Sequence, residues 1–233
     1  MRTDSSIETM LVSSSPSPLS IDEFMNALQP SLHAGCVAEA LSKLGKRWSC
    51  AQVVSLLGHP SADVKKVAAL ALSVLGDRTA VVPLAVALHD GDAMVAQMAD
   101  HALWSIWFRL GSAAAVNLVK CGNTHMHHGN YGCAIEKFTR AIQEDPTFAE
   151  AYNQRAIAHY LSEQFEESIG DYRAALARMP QHFGAMAGMG HSHSHLGQWA
   201  EAKHCYRLTL AIHPQFEGIQ ASIAQIDEVL GGR

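Results

Sequence analysis

Histidine is the residue best placed to do chemistry in this sequence, and fourteen occur among 233 residues. Half of them gather in one stretch: His125, His127 and His128, then His159, then His191, His193 and His195. His191 and His195 are four apart, so on a helix they share a face and can both reach one zinc ion. A zinc site wants three or four ligands, and no third is evident, because Leu161 holds the register between His127 and His195. The reading is no dedicated metal site, with His191 and His195 as weak candidates, and no cofactor. His125, His159 and His193 read instead as core imidazoles, each with a hydrogen-bond partner inside a helix pair. No G-x-x-x-x-G-K-[ST], H-E-x-x-H or G-x-S-x-G occurs, so the chain reads as a protein that is not an enzyme.

The elements that must position these histidines repeat. Pro146, Pro180 and Pro214 are separated by 34 residues each (180 − 146 and 214 − 180). Three units align on them without a gap. The first carries Leu118, Gly122, His125, Ala134, Phe138 and Ala141. The second has Tyr152, Ala156, His159, Ser168, Tyr172 and Ala175 in those columns, and the third Met186, Gly190, His193, Ala202, Tyr206 and Thr209. Gly122, Ala156 and Gly190 mark where two helices cross closely, while Phe138, Tyr172 and Tyr206 are expected to fill the gap between neighbouring units. Turns are expected after Gly129, Glu163 and Gly197, and each proline stops the second helix of its pair. Glu217 to Leu230 continues as a capping helix through Ile219, Ile223, Ile226 and Leu230.

Recurring small, aromatic and proline columns at this period resemble the tetratricopeptide repeat over roughly residues 112–230. The resemblance implies that the first helix of each unit lines a concave groove receiving an extended peptide or a partner helix. Carried over by column, that groove presents Asn123, Met126 and His127, then Asn153, Gln154, Ile157, Tyr160 and Leu161, then Gly184, Gly188, His191 and His195. The subgroup that clamps acidic chaperone C-termini uses lysines, an arginine and asparagines. Here Asn123 is kept, but Val119, Gln154, Gly184 and Gly188 stand in the other clamp columns. The expected ligand is therefore an uncharged or amphipathic protein segment. Gly184, Gly188, His191 and His195 form one stripe, either a floor for another backbone or, at Gly184, a frayed first turn.

The N-terminal half has its own period, 31. Ala40, Ala71 and Ala102 recur at that spacing, as do Leu41, Leu72 and Leu103, and Leu44, Leu75 and Ile106. Ser20-Ile21-Asp22-Glu23 is a capping box opening a helix through Leu28. Turns are expected at Gln29-Pro30, Gly58 to Ser61 and His89 to Asp92. Val64, Val67, Ala68, Ala71, Leu72 and Leu75 form one helical stripe. With Asp63-Val64-Lys65-Lys66 and Gly76-Asp77-Arg78, the segment resembles short HEAT repeats, including those related to phycobilisome-lyase modules. The expectation is an all-α solenoid of antiparallel helix pairs: a tail over 1–19, three HEAT-like units over 20–111, then three tetratricopeptide units and a capping helix over 112–233. At the junction Trp104, Trp107 and Phe108 fall on one side of a helix. They are expected to bury the seam between the arrays, with a second partner surface as the alternative.

Composition bounds the rest. With 48% hydrophobic and 17% charged residues the chain can bury a sizeable core. A net charge of −5 without a basic cluster argues against nucleic acid as a partner, and no run is apolar enough to span a membrane. Five scattered cysteines without C-x-x-C spacing fit a reducing, cytoplasmic setting. The reading is a protein-binding scaffold, with a lyase-type or cofactor-handling accessory subunit and a histidine-based metal binder as alternatives.

Overall fold

A computed structural model describes residues 20–33 and 47–231. The columns through Ala40, Leu41 and Leu44 and the tail over 1–19 lie outside the described residues. Among those described, twelve α-helices and two short 3-10 turns account for the regular structure. In the N-terminal half α1 is Ile21–His33, α2 Cys50–Ser55, α3 Ala62–Leu75, α4 Val81–Ala87 and α5 Ala93–Trp107. Ser20 caps α1, its Oγ accepting from the Glu23 amide. Contrary to the expected turn at Gln29-Pro30, α1 runs one turn further. Proline's fixed φ is compatible with helix, although it forfeits the N–H that would bond the Asn26 carbonyl and crowds that carbonyl, at a cost the helix bears near its end.

The period of 31 is the alternation of a short helix with a long one. Ala71 and Leu72 on α3, and Ala102, Leu103 and Ile106 on α5, are all buried. Ser49 opens α2 with a reciprocal Gln52 cap, and Asp92 opens α5 by accepting from the amides of Met94 and Val95. Lys65 pairs with Asp90 and Lys66 with Asp92, which pins the turn before α5 to α3. Arg109 joins the two long helices. Its guanidinium donates to the carbonyls of Leu72 (3.2 Å), Ser73 and Gly76 (2.7 Å) at the end of α3 and to Ser105 (3.1 Å) on α5. The Ser73 and Ser105 carbonyls are among those a helix end leaves without intrahelical donors, whereas the Leu72 carbonyl also accepts from the Gly76 amide. Arg109→Ala is expected to cost about 1.5–3 kcal/mol, the worth of a hydrogen-bonded charged group, measured as a lowered urea midpoint. An unchanged midpoint would show that water replaces the guanidinium at no cost.

The C-terminal half is three antiparallel pairs and a cap. These are α6 (Ala113–His127) with α7 (Tyr131–Glu144), α8 (Ala149–Leu161) with α9 (Phe165–Arg178), and α10 (Phe183–His195) with α11 (Trp199–Ile212), followed by α12 (Ile219–Gly231). The turns inside the pairs place Gly129, Glu163 and Gly197 at φ of 71°, 60° and 70°. Glu163 thus takes the left-handed conformation its two equivalents reach without a Cβ. A Cβ at Gly122 would lie 2.4 Å from Phe138, and one at Gly190 would lie 2.6 Å from Tyr206. Phe138 and Tyr206 thus pack inside their own pairs and also toward the next element, Phe138 sharing a cluster with Phe148 and Ala151, and Tyr206 one with Ile219 and Ile226. Tyr172 reaches the next unit, to 2.3 Å from a Cβ placed at Gly188.

Of the three expected core imidazoles, His159 and His193 have side-chain hydrogen-bond partners and His125 has none among the described residues. His159 Nδ1 donates to Gln164 Oε1 at 2.7 Å, and His193 Nδ1 donates to Gln198 Oε1, so each clasps the side chain just before the second helix of its pair.

The two halves meet on the links between repeats. Phe148, His182 and Phe216 each stand two residues after a proline and 34 residues apart, and all three turn toward the N-terminal array. Phe148 is buried under Gly111, where a Cβ would sit 2.5 Å from its ring. His182 stacks on Trp107 at 4.1 Å between ring centres. Phe216 packs on Phe183, which packs in turn on both Trp104 and Trp107. Arg78 adds a hydrogen bond to the Arg178 carbonyl at 2.9 Å. Instead of extending the stack end to end, α5 lies against the proline links of the repeats.

Candidate functional site

A groove lies between α8 and α10, the first helices of the second and third units. From α8 come Asn153, Ile157, Tyr160 and Leu161, and from α10 Gly184, Ala187, Gly188 and His191. Tyr172 closes the floor behind Gly188, and Trp104 and Phe216 stand at one end. Together they enclose a mostly apolar groove of about 340 Å³. Beyond Tyr160 and His191 a second cavity of about 330 Å³ continues between α10, α11 and α12, past Ser194, His195, Trp199 and Tyr206. Lysine and arginine line neither cavity.

The hydrogen bonds fix the rings in place. Tyr160 Oη and His195 Nε2 are 2.8 Å apart, as are Tyr206 Oη and His191 Nδ1. His195 also stacks on Phe165 at 4.6 Å. Burial, and then the nearby His195, hold the His191 imidazole below the usual histidine range, so near neutral pH it is an uncharged hydrogen-bonding group. Burial pushes the Tyr206 phenol up to about 12, which keeps its proton in place. The two histidines four apart are each engaged by a different tyrosine. Among the described residues, no group of three His, Cys, Asp or Glu side chains is placed to hold a metal ion.

Of the residues expected in the groove, Asn153, Ile157, Tyr160, Leu161, Gly184, Gly188 and His191 are brought together, and His195 lies in the adjoining cavity. Asn123, Met126, His127 and Gln154 line neither cavity. Met126 is packed in the first unit's core and His127 is exposed. Asn153 and Gln154 are buried, and their amides donate to Glu150 Oε1 at 3.1 and 2.6 Å. Their donors are thus spent inside the protein, although Asn153 Oδ1 stays without a hydrogen-bond partner, as does Asn123 Oδ1.

Gly184 is neither an open floor nor a frayed end, since a Cβ there would meet the Trp104 ring at 2.5 Å. The approach this glycine permits is that of the N-terminal array itself. Trp107 is buried and stacked on His182, so it belongs to the seam and offers no free partner surface. Trp104 and Phe108 are half-buried, and Trp104 is shared by the seam and the groove.

Beneath this face lies a network the sequence reading missed. Glu150 and His182 are both fully buried, with Oε2 and Nε2 2.8 Å apart. His182 Nδ1 accepts from the Ala185 amide at 3.2 Å, which leaves Nε2 as the donor to the carboxylate. Glu150 therefore accepts from three side chains at once, and the His182 ring so fixed is the plate on which Trp107 rests.

Residues 149–182, the segment that holds this network and α8, match the family model of the tetratricopeptide repeat. That segment carries a tetratricopeptide repeat, and the C-terminal half around it is similar to proteins that contain such repeats. A small glutamine-rich tetratricopeptide repeat-containing protein of Saccharomyces cerevisiae is 32% identical over 100 residues, 43% of this chain and 29% of that protein. A TPR repeat-containing protein of Rhizobium etli is 26% identical over 126 residues, 54% of this chain and 62% of that one. The chain thus spans less than two thirds of the length of these relatives. Among solved structures, the first tetratricopeptide domain of Spaghetti bound to an HSP90 peptide superposes with a TM-score of 0.51 at 25% identity, over 52% of this chain and 95% of that one. The Sgt2 tetratricopeptide domain of Aspergillus fumigatus shares the fold, with a TM-score of 0.50 at 20% identity over 52% and 82%.

Proposed function

We propose that this protein is a non-enzymatic interaction scaffold whose concave tetratricopeptide face receives an uncharged or amphipathic segment of a partner protein. The observation that carries the reading is the groove between α8 and α10: apolar, floored where the Tyr172 ring packs against Gly188, and lined by no lysine or arginine. Such a surface recognises a ligand by filling small pockets and by hydrogen bonds to its main chain, for which Tyr160 and His191 stand at the groove wall. We assign residues 20–111 to a HEAT-like array and 112–233 to the tetratricopeptide domain with its cap. Support for the first comes from the short-long helix alternation and the Arg109 clasp, and its role includes completing the groove with Trp104. Among the described residues no helix is long and apolar enough to cross a membrane, and Cys50, Cys121, Cys133 and Cys205 are free thiols. A cytoplasmic setting is proposed on the latter.

The Spaghetti domain holds the HSP90 peptide SRMEEVD. That peptide ends in two glutamates, a valine and an aspartate, and the groove here offers no lysine or arginine to meet them. The test sets SRMEEVD against short apolar-anchored peptides selected from a phage-displayed random library on the full chain. Selected peptides are expected to bind at least about tenfold more tightly than SRMEEVD. Leu161 is 44% exposed, so Leu161→Glu leaves the fold intact while placing a charge at the rim, and should weaken them by a comparable factor. Tighter binding of SRMEEVD, or selected peptides indifferent to Leu161→Glu, would overturn the reading.

A further inference from the structure

Trp104 and Phe216 belong to two cavities at once. On one side they close the apolar groove, and on the other they wall a cavity of about 500 Å³ between α5 and the link before α12. This second cavity exists only because the two halves meet: Asp100 comes from α5, His213 and Glu217 from the last link. Its ionisable lining is two carboxylates and one imidazole, set against an indole and a phenyl ring, and no lysine or arginine borders it. Asp100 Oδ1 is buried without a hydrogen-bond partner, and His213 Nε2 lies 3.4 Å from it. His213 Nδ1 is likewise buried and unpartnered.

A carboxylate that lacks a donor, beside aromatic faces, is the environment a lysine or arginine side chain completes. The acids accept charge-assisted hydrogen bonds, and the negative faces of the rings attract the cation. We infer that the groove continues past Trp104, and that the segment it receives carries a basic residue next to its apolar anchor. The anchor lies against Ile157 and Gly188, and the cationic end passes over Trp104 and Phe216 to Asp100 and Glu217. This rests on the groove reading above and adds the sign of the ligand's charge. Charge complementarity supports it throughout, since none of the three cavities along this face is lined by a cation and the whole chain carries −5.

The experiment analyses the peptides selected from the random phage library on the full chain. Lysine or arginine is expected at a fixed spacing from an aliphatic residue. In the tightest synthetic peptide, changing that basic residue to glutamine should weaken binding about fivefold by titration calorimetry. On the Asp100→Asn, Glu217→Gln double variant the same change should have no effect. Glu217 is exposed, so Glu217→Gln alone, with about half of that effect on a logarithmic scale, keeps the test usable if Asp100→Asn disturbs the seam. Peptides that bind through the groove without needing a basic residue would overturn the cation site and leave the groove standing. Equal loss in wild type and double variant would place the charge contact elsewhere and overturn the assignment. Binders indifferent to Leu161→Glu would remove the groove reading and this inference with it.

Discussion

Trp107→Ala is expected to destabilise the chain by about 3–5 kcal/mol, as for other large buried aromatics cut to alanine, and to separate the unfolding of its two halves. Trp107 is 2% exposed and packs on partners distant in sequence, the His182 ring at 4.1 Å and the Phe183 ring at 5.0 Å. Its removal opens a hole between two bodies already braced by their own helix pairs, so neither can collapse to fill it. The loss therefore falls on the connection more than on either half. Guanidinium denaturation followed by far-ultraviolet circular dichroism should show one transition for the wild type and two for the variant, the weaker belonging to the N-terminal half. A single transition at the wild-type midpoint would mean that Phe148 and Phe216 hold the seam unaided.

A second large loss is expected for Glu150→Ala, again about 3–5 kcal/mol, the usual result of removing one partner of a buried pair. Three donors, from Asn153, Gln154 and His182, converge on this carboxylate in a region closed to water. Alanine leaves all three unsatisfied. Glu150→Gln keeps the volume and one acceptor oxygen but presents an amide N–H to groups that also donate, so its cost should be smaller, about 1–3 kcal/mol. Thermal melts of the two variants rank them. Because the same network levels His182 beneath Trp107, Glu150→Ala and Trp107→Ala combined should cost clearly less than the sum of the two. Strict additivity would show that the network and the seam are independent.

The repeat frame was legible because it is written three times. One proline at a spacing of 34 is an accident, but three, with small and aromatic residues in matching columns, leave a single helical register. Glu163 at φ 60° fits the same frame, since the turn it occupies is set by Gly129 and Gly197 in the equivalent positions. The site was less legible. A glycine on a helix face announces that something comes close without saying what, and Gly184 turned out to receive Trp104 from eighty positions earlier in the chain. Asn153 and Gln154 sat in groove columns, yet Glu150 one turn before them takes their donors. No helical period encodes that preference. The seam did leave one trace, the Phe148, His182 and Phe216 column, which recurs every 34 residues two positions after each proline.

That column also bears on how the chain is made. In a plain stack each pair is finished once its immediate neighbour has been synthesised, and folding can proceed in step with elongation. Here Trp107 is covered by residues as far along as Phe183, and the contact chain behind it ends at Phe216, which lies 109 positions later (216 − 107). At ~5–20 residues per second this is roughly 5–20 s of translation during which the indole face of a completed N-terminal array has nothing of its own to close against.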